Sequence, residues 1–176
     1  MATTFASLLA RLIDGGVHHV LVGGVAVCLH GYLRATRDLD VLIEATPENA
    51  SRLIDVLSSW GEGHARELTV ADFYPAEIGA VRIGETFVLD VFTVMRAGGD
   101  KRLDYAAVAV DAEHIQIEGG RTVYFASKDR LIEMKSGTGR SKDESDIAAL
   151  RGLREGTIQR AEFSPHDLSP SEDEST

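Results

Sequence analysis

The 176-residue chain has a single cysteine, Cys28. One thiol cannot close an internal disulfide, so a cross-linked scaffold is excluded and a reducing compartment is expected. No apolar run approaches the roughly 18 residues that a membrane span needs. The N-terminus carries no basic segment followed by an apolar stretch and a small-residue cleavage site, so no signal peptide is expected. The expected location is the cytoplasm, with no membrane partner. The histidines show no zinc-ligand spacing. Neither a GxGxxG fingerprint nor a Walker A sequence occurs, and Gly137-Thr138-Gly139-Arg140 qualifies as neither. Positive charge is also scarce, with 18 Lys and Arg against 28 Asp and Glu for a net charge of −10. Half of that excess lies in residues 161–176, where Glu162, Asp167, Glu172, Asp173 and Glu174 meet no Lys or Arg. Such a balance argues against broad binding of duplex DNA, whose affinity comes from phosphate neutralisation. It leaves room for a small cationic pocket.

What is present is the composition of one soluble globular domain, 44% apolar and 26% charged. We assign the domain to residues 1–160 and expect the Ser-, Pro- and acid-rich segment 161–176 to be a disordered tail. Phe5, Leu8, Leu9, Leu12 and Ile13 recur at helical spacing, with Thr3 or Thr4 as cap and Gly15-Gly16 as stop. A short buried strand is expected at 19–22, a short helix at 25–30 closed by Gly31, and a second strand at 39–43. Thr46-Pro47 starts a helix with Leu53, Ile54 and Leu57 inward and Gly61 as its stop. Residues 78–83 and 86–92 read as strands joined by a tight Gly84-Glu85 turn. Residues 96–112 read as loop or weak helix. Strands at 114–118 and 122–125 flank Gly119-Gly120. A helix capped by Ser127 buries Leu131, Ile132 and Met134, and a last helix over 143–153 turns Ile147, Leu150 and Leu153 inward.

The chemistry concentrates in residues 20–44. An apolar run ends in Gly23-Gly24, where the missing Cβ atoms let the backbone turn and approach a ligand. After Gly31 and Arg34-Ala35-Thr36-Arg37 comes Asp38-Leu39-Asp40, opening an apolar strand. Carboxylates two residues apart in a strand share a face, and two held together repel unless a cation sits between them. Asp90 lies between Val88-Leu89 and Val91-Phe92, where an unpaired carboxylate is costly. Three such groups are hard oxygen ligands suited to divalent metal. The N–H groups opening the helix after Gly23-Gly24 are candidates for phosphate contact. Arg34 or Arg37 can bind phosphate or neutralise the acidic pair, and Arg34 is the favoured functional residue. Lys135 reads as lying on the outer side of its helix. Arg140, Lys142, Asp143 and Asp146 form either a packing network or part of a substrate site. His30 reads as a capping or core histidine and Cys28 as a buried small apolar residue.

Gly23-Gly24, a 13-residue gap, Asp38-Leu39-Asp40 and a later strand aspartate resemble the signature of the polymerase-β-like nucleotidyltransferase superfamily. The late segment Asp129-Arg130-Leu131-Ile132, Lys135, Gly139-Arg140, Lys142-Asp143 and Asp146-Ile147 is similar to the small bacterial nucleotidyltransferases grouped with the AbiEii toxins, and the resemblance spans about residues 5–155. It implies an α+β nucleotidyltransferase fold, a mixed sheet with helices packed mainly on one face. It implies transfer of a nucleoside monophosphate from an NTP to a hydroxyl on an RNA end, a protein or an antibiotic. The cofactor it implies is a pair of Mg²⁺ ions, or Mn²⁺ in their place. In that resemblance Asp38, Asp40 and Asp90 are the catalytic metal ligands, and Gly23, Gly24, Arg34 and Lys135 contact substrate. Many relatives have Ser where this chain has Gly24. A toxin-like or phage-defence role with a cognate antitoxin is the leading biological expectation. A non-catalytic nucleotide-binding module of such a pair and an antibiotic nucleotidyltransferase are the alternatives.

Overall fold

The computed structural model describes residues 4–60, 64–84 and 88–159. Helix α1 (Phe5–Asp14) is capped by Thr4, whose hydroxyl accepts from the Ser7 N–H while Ser7 reaches back to Thr4. Phe5, Leu8, Leu9 and Leu12 are its buried stripe, and Gly15 ends it. Strand β1 (His19–Val22) runs straight into α2 (Gly23–Leu29), so the glycine pair opens that helix where a preceding turn was expected. His30 caps α2 and is buried, with Nε2 on the Ala126 carbonyl at 2.9 Å. Strand β2 (Asp38–Ile43) leads to α3 (Pro47–Ser58), with Thr46 as N-cap and Pro47 at its first turn as expected. The proposed stop at Gly61 lies outside the described residues. Asn49 on α3 is fully buried and bonds the His18 N–H and the His18 and Glu44 carbonyls, tying α3 to the ends of β1 and β2.

Two short 3-10 turns (His64–Glu67 and Val70–Asp72) precede β3 (Ala80–Ile83) and β4 (Val88–Phe92). Residues 96–112, expected as loop or weak helix, belong instead to an ordered unit. It consists of the antiparallel hairpin β5 (Val94–Ala97) and β6 (Lys101–Asp104) followed by α4 (Tyr105–Ala109). Its strands are four residues each and β6 begins Lys101-Arg102, so no apolar alternation announced them. The strands β7 (Glu113–Ile117) and β8 (Arg121–Phe125) match expectation, as do α5 (Lys128–Lys135), capped by Ser127, and α6 (Ser141–Glu155). On α6, Leu150 is buried as expected, but Asp143 and Asp146 are buried too, while Ile147 and Leu153 are only partly so. The tail assigned to 161–176 lies outside the described residues.

The main sheet has strand order β3-β4-β2-β1-β8-β7 and is mixed: β2/β4 and β1/β8 are parallel, and the other pairs are antiparallel. It is an α+β fold with helices packed mainly on one face. Leu39 and Val41 of β2 point into the core and are fully buried, so the period-two alternation turns Asp38 and Asp40 to the opposite face. That face is where the site forms.

Candidate active site

Strands β2 and β4 run parallel with Asp40 directly opposite Asp90, and Val22 at the end of β1 lies opposite Asp40 on the other side. The three carboxylates expected from the sequence are therefore brought to one place. Gly23 follows Val22 with φ +63°, and a Cβ there would collide with the Asp40 carboxylate. A Cβ on Gly24 would stand 2.6 Å from the Thr36 hydroxyl and about 3.1 Å from the Arg34 guanidinium. The space a serine would take is already filled from the following loop. The Gly24 N–H donates to Asp40. Burial, then the charge of Asp90 and then that of Asp38, push the Asp40 carboxyl up to about 7 against the pull of Gly24 and Lys135. Asp40 is a partly buried acid short of positive charge.

Asp90, 6% exposed, is not short of it. Arg82, opposite it on β3, donates from Nε to Oδ1 at 2.8 Å and from Nη2 to Oδ2 at 2.7 Å. The same Nη2 lies 3.7 Å from Asp38. Those bonds hold the Arg82 guanidinium still more firmly protonated. The sequence reading missed Arg82. A two-residue Gly84-Glu85 turn would set Gly79 across from Asp90, whereas the observed register sets Ile83 opposite Leu89 and Arg82 opposite Asp90. The one available signal was an arginine among apolar residues in a strand neighbouring that of a buried aspartate.

A second charged cluster stands beside the first. Arg34 grips Asp146 through Nε and Nη2 at 2.7 and 2.8 Å, and Asp146 is fully buried. Lys135 lies 2.8 Å from both Asp143 and Asp146, and the Thr138 hydroxyl donates to Asp143. Burial raises Asp143, but bonds from Lys135 and Thr138 and the Arg140 charge outweigh it and hold the carboxyl below its usual range. Lys135 was expected on the outer side of its helix; it is buried, because four residues along α5 from Leu131 it shares that residue's inward face. The Arg140–Lys142–Asp143–Asp146 segment is thus both packing network and cavity wall.

Both clusters open into one cavity of about 860 Å³. Seven basic side chains line it (Arg34, Arg37, Arg82, Arg96, Lys135, Arg140 and Lys142) against four aspartates. In a chain of net charge −10 this is a local reversal of sign. Ile78, Phe92, Val94 and Met95 add an apolar section of wall, much of it from the β5–β6 hairpin. That hairpin is held to α5 by the Gly98 N–H on the Glu133 carbonyl and by the Lys101–Glu133 ion pair.

The carboxylates suit a divalent ion in kind: three hard oxygen donors from adjacent strands, one of them lacking counter-charge. Among the described residues, though, no three His, Cys, Asp or Glu side chains converge as a ready metal site. Asp90 gives both its oxygens to Arg82. The donor set is right in kind, with one of its three members held by Arg82.

In sequence, no protein-family model and no curated protein matches the chain. Among solved structures, it resembles the lincosamide antibiotic adenylyltransferase LnuA, lincomycin-bound. The TM-score is 0.55 at 19% identity, over 84% of this chain and 94% of that one. An antigenic nucleotidyltransferase-like protein from Paracoccidioides brasiliensis aligns at 17% identity with TM-score 0.46, over 84% and 72% of the two chains. The first likeness shows the fold, which is that of the nucleotidyltransferases.

Proposed function

We propose that the protein is a metal-dependent nucleotidyltransferase that moves a nucleoside monophosphate from an NTP to a hydroxyl acceptor. The observation that carries this reading is the juxtaposition of Asp40 and Asp90 on neighbouring parallel strands, with Asp38 on the same face, inside a cavity whose charge is otherwise positive. Asp38, Asp40 and Asp90 would hold two Mg²⁺ or Mn²⁺ ions. Bound there, such ions supply a lowered pKa for the attacking hydroxyl and neutralisation of the triphosphate. In the reaction a bond forms from the acceptor oxygen to the α-phosphorus, the bond from that phosphorus to the β-phosphate bridge breaks, and pyrophosphate leaves while the hydroxyl proton passes to solvent.

The chain's own residues orient the reactants. Gly23 and Gly24 leave room for the Asp40 carboxylate, the Thr36 hydroxyl and the Arg34 guanidinium against the backbone, so a triphosphate bound beside them would face those three groups. Arg34, fixed by Asp146 and by its Nη1 bond to the Ala35 carbonyl at 3.1 Å, offers its remaining N–H groups on that side. Lys135 adds positive potential from within its carboxylate pair. The test supplies Mg²⁺, each labelled NTP, and either total RNA, total protein or a panel of hydroxyl-bearing antibiotics. Transfer that Asp40→Ala abolishes supports the reading, and identical behaviour of wild type and variant with all four nucleotides defeats it.

For the acceptor, the Ile78–Phe92–Val94–Met95 wall beside Asp90 favours a small molecule with an apolar portion over an RNA end or a protein. LnuA, a lincosamide adenylyltransferase seen with lincomycin, is compatible with that choice. The AbiEii-like, toxin-type role with a cognate antitoxin rests on the motif resemblance alone. Growth arrest on expression, relieved by a neighbouring gene, would support it.

A further inference from the structure

We infer that Arg82 is an internal counter-cation of the acidic site, holding Asp90 and Asp38 when no divalent ion is bound and displaced when one enters. The inference rests on the metal-dependent reading above and adds to it a residue that reading does not use. Arg82 occupies both oxygens of Asp90, at 2.8 and 2.7 Å, and the nitrogen that reaches Oδ2 is also 3.7 Å from Asp38. Asp90 is 6% exposed, and a carboxylate so placed cannot be left bare without a large penalty. The Arg82 side chain is 62% exposed, so it covers the carboxylate from the solvent side. It can therefore leave without unpacking the core. Among the described residues its strand, β3, is the edge of the sheet, paired with β4 alone.

A guanidinium gripping both oxygens and a divalent ion bound to them compete for the same negative charge and the same space, so each weakens the other's binding. Once off Asp90, Arg82 joins a cavity that already carries six other basic side chains. The partner that suits it there is phosphate, which its planar fork matches. A triphosphate thus offers Arg82 a new partner at the moment that metal takes the old one. Metal and nucleotide should then bind cooperatively, and the coupling must be reciprocal. A purely structural cross-strand pair predicts none of this: its loss would leave metal binding unchanged or weaker.

The experiment is a Mn²⁺ titration of nucleotide-free protein, following free Mn²⁺ by electron paramagnetic resonance. Arg82→Gln is expected to bind Mn²⁺ at least tenfold more tightly than wild type, and Arg82→Lys to fall between. Arg121→Gln, which removes one positive charge from the surface pair with Asp14, should match wild type. Added NTP should tighten Mn²⁺ binding by wild type more than by Arg82→Gln. Equal or weaker Mn²⁺ binding by Arg82→Gln overturns the inference while the metal-dependent reading stands; no Mn²⁺ binding by any form overturns both. Should Arg82→Gln fail to fold, the wild-type protein decides through the Arg82 Nε–H resonance. Loss of its exchange protection on Mg²⁺ saturation supports displacement, and an unmoved, protected signal overturns it.

Discussion

Arg34 and Asp146 stand 112 positions apart in sequence and are joined by two hydrogen bonds of 2.7 and 2.8 Å. That contact fastens the loop before β2 to α6, with the Arg34 guanidinium beside Gly24. Because Asp146 is fully buried and also receives Lys135, it is the common anion of two cations that line the site.

Removing it should therefore cost more than any surface pair. Asp146→Ala leaves Arg34 and Lys135 without their shared carboxylate, and is expected to destabilise the fold by about 3–5 kcal/mol. Asp14→Ala breaks a bidentate pair with Arg121 that solvent screens, and should leave the urea midpoint within error. Urea titrations of the two variants against wild type check the contrast.

The glycine pair should fail in two different ways. Gly23→Ala sets a Cβ against Asp40 at a backbone of φ +63°, and no neighbouring substitution should rescue it. Gly24→Ser meets the Thr36 hydroxyl at 2.6 Å, an overpacking cost of about 1–3 kcal/mol. Thr36→Ala removes that atom, so the Gly24→Ser/Thr36→Ala double variant should regain much of the lost stability in a thermal melt.

Asp40 makes the metal-free protein sensitive to pH in a defined direction. Its carboxyl is raised to about 7 in the folded state, above its value of 3.8 elsewhere, so the folded state holds the proton more tightly. The associated stability is fully present below about pH 4 and is lost as pH rises through 7. Asp143, held low, acts in the opposite sense and at lower pH, which is why the informative quantity is a difference. Between pH 4.5 and 8 without metal, wild type should lose stability relative to Asp40→Asn. A constant gap between their urea midpoints would contradict the assignment.

The pattern of what the sequence revealed follows from range. Gly23-Gly24, Asp38, Asp40 and Asp90 were legible because each breaks or exploits a local period: a turn, an i/i+2 pair, a charge inside an apolar strand. The caps at Thr46 and Ser127 were legible for the same reason, and the first was narrowed to Thr3 or Thr4, of which the fold uses Thr4. Arg82 was not, since its position depends on the register across residues 84–87, and a three-residue error moves Gly79 into its place. Lys135 and Asp146 were misjudged or left open because two charges that neutralise each other can occupy an inward face that composition reserves for apolar residues. The β5–β6 hairpin escaped notice because strands of four residues, β6 mostly charged, carry no period; its order comes from packing on α5. With it went Val94 and Met95 of the apolar wall that bears on the acceptor.

The central claim is that Asp38, Asp40 and Asp90 form a nucleotidyl-transfer centre, and pyrophosphate release measures it most directly. Wild-type protein with Mg²⁺, each NTP and an acceptor pool of hydroxyl-bearing small molecules, RNA and protein should release pyrophosphate with at least one nucleotide. Asp40→Ala and Asp90→Ala, confirmed folded, should fall to background, and chelating the metal should do the same to wild type. Pyrophosphate release that survives both substitutions, or that is absent from wild type with every nucleotide and acceptor, would contradict the account.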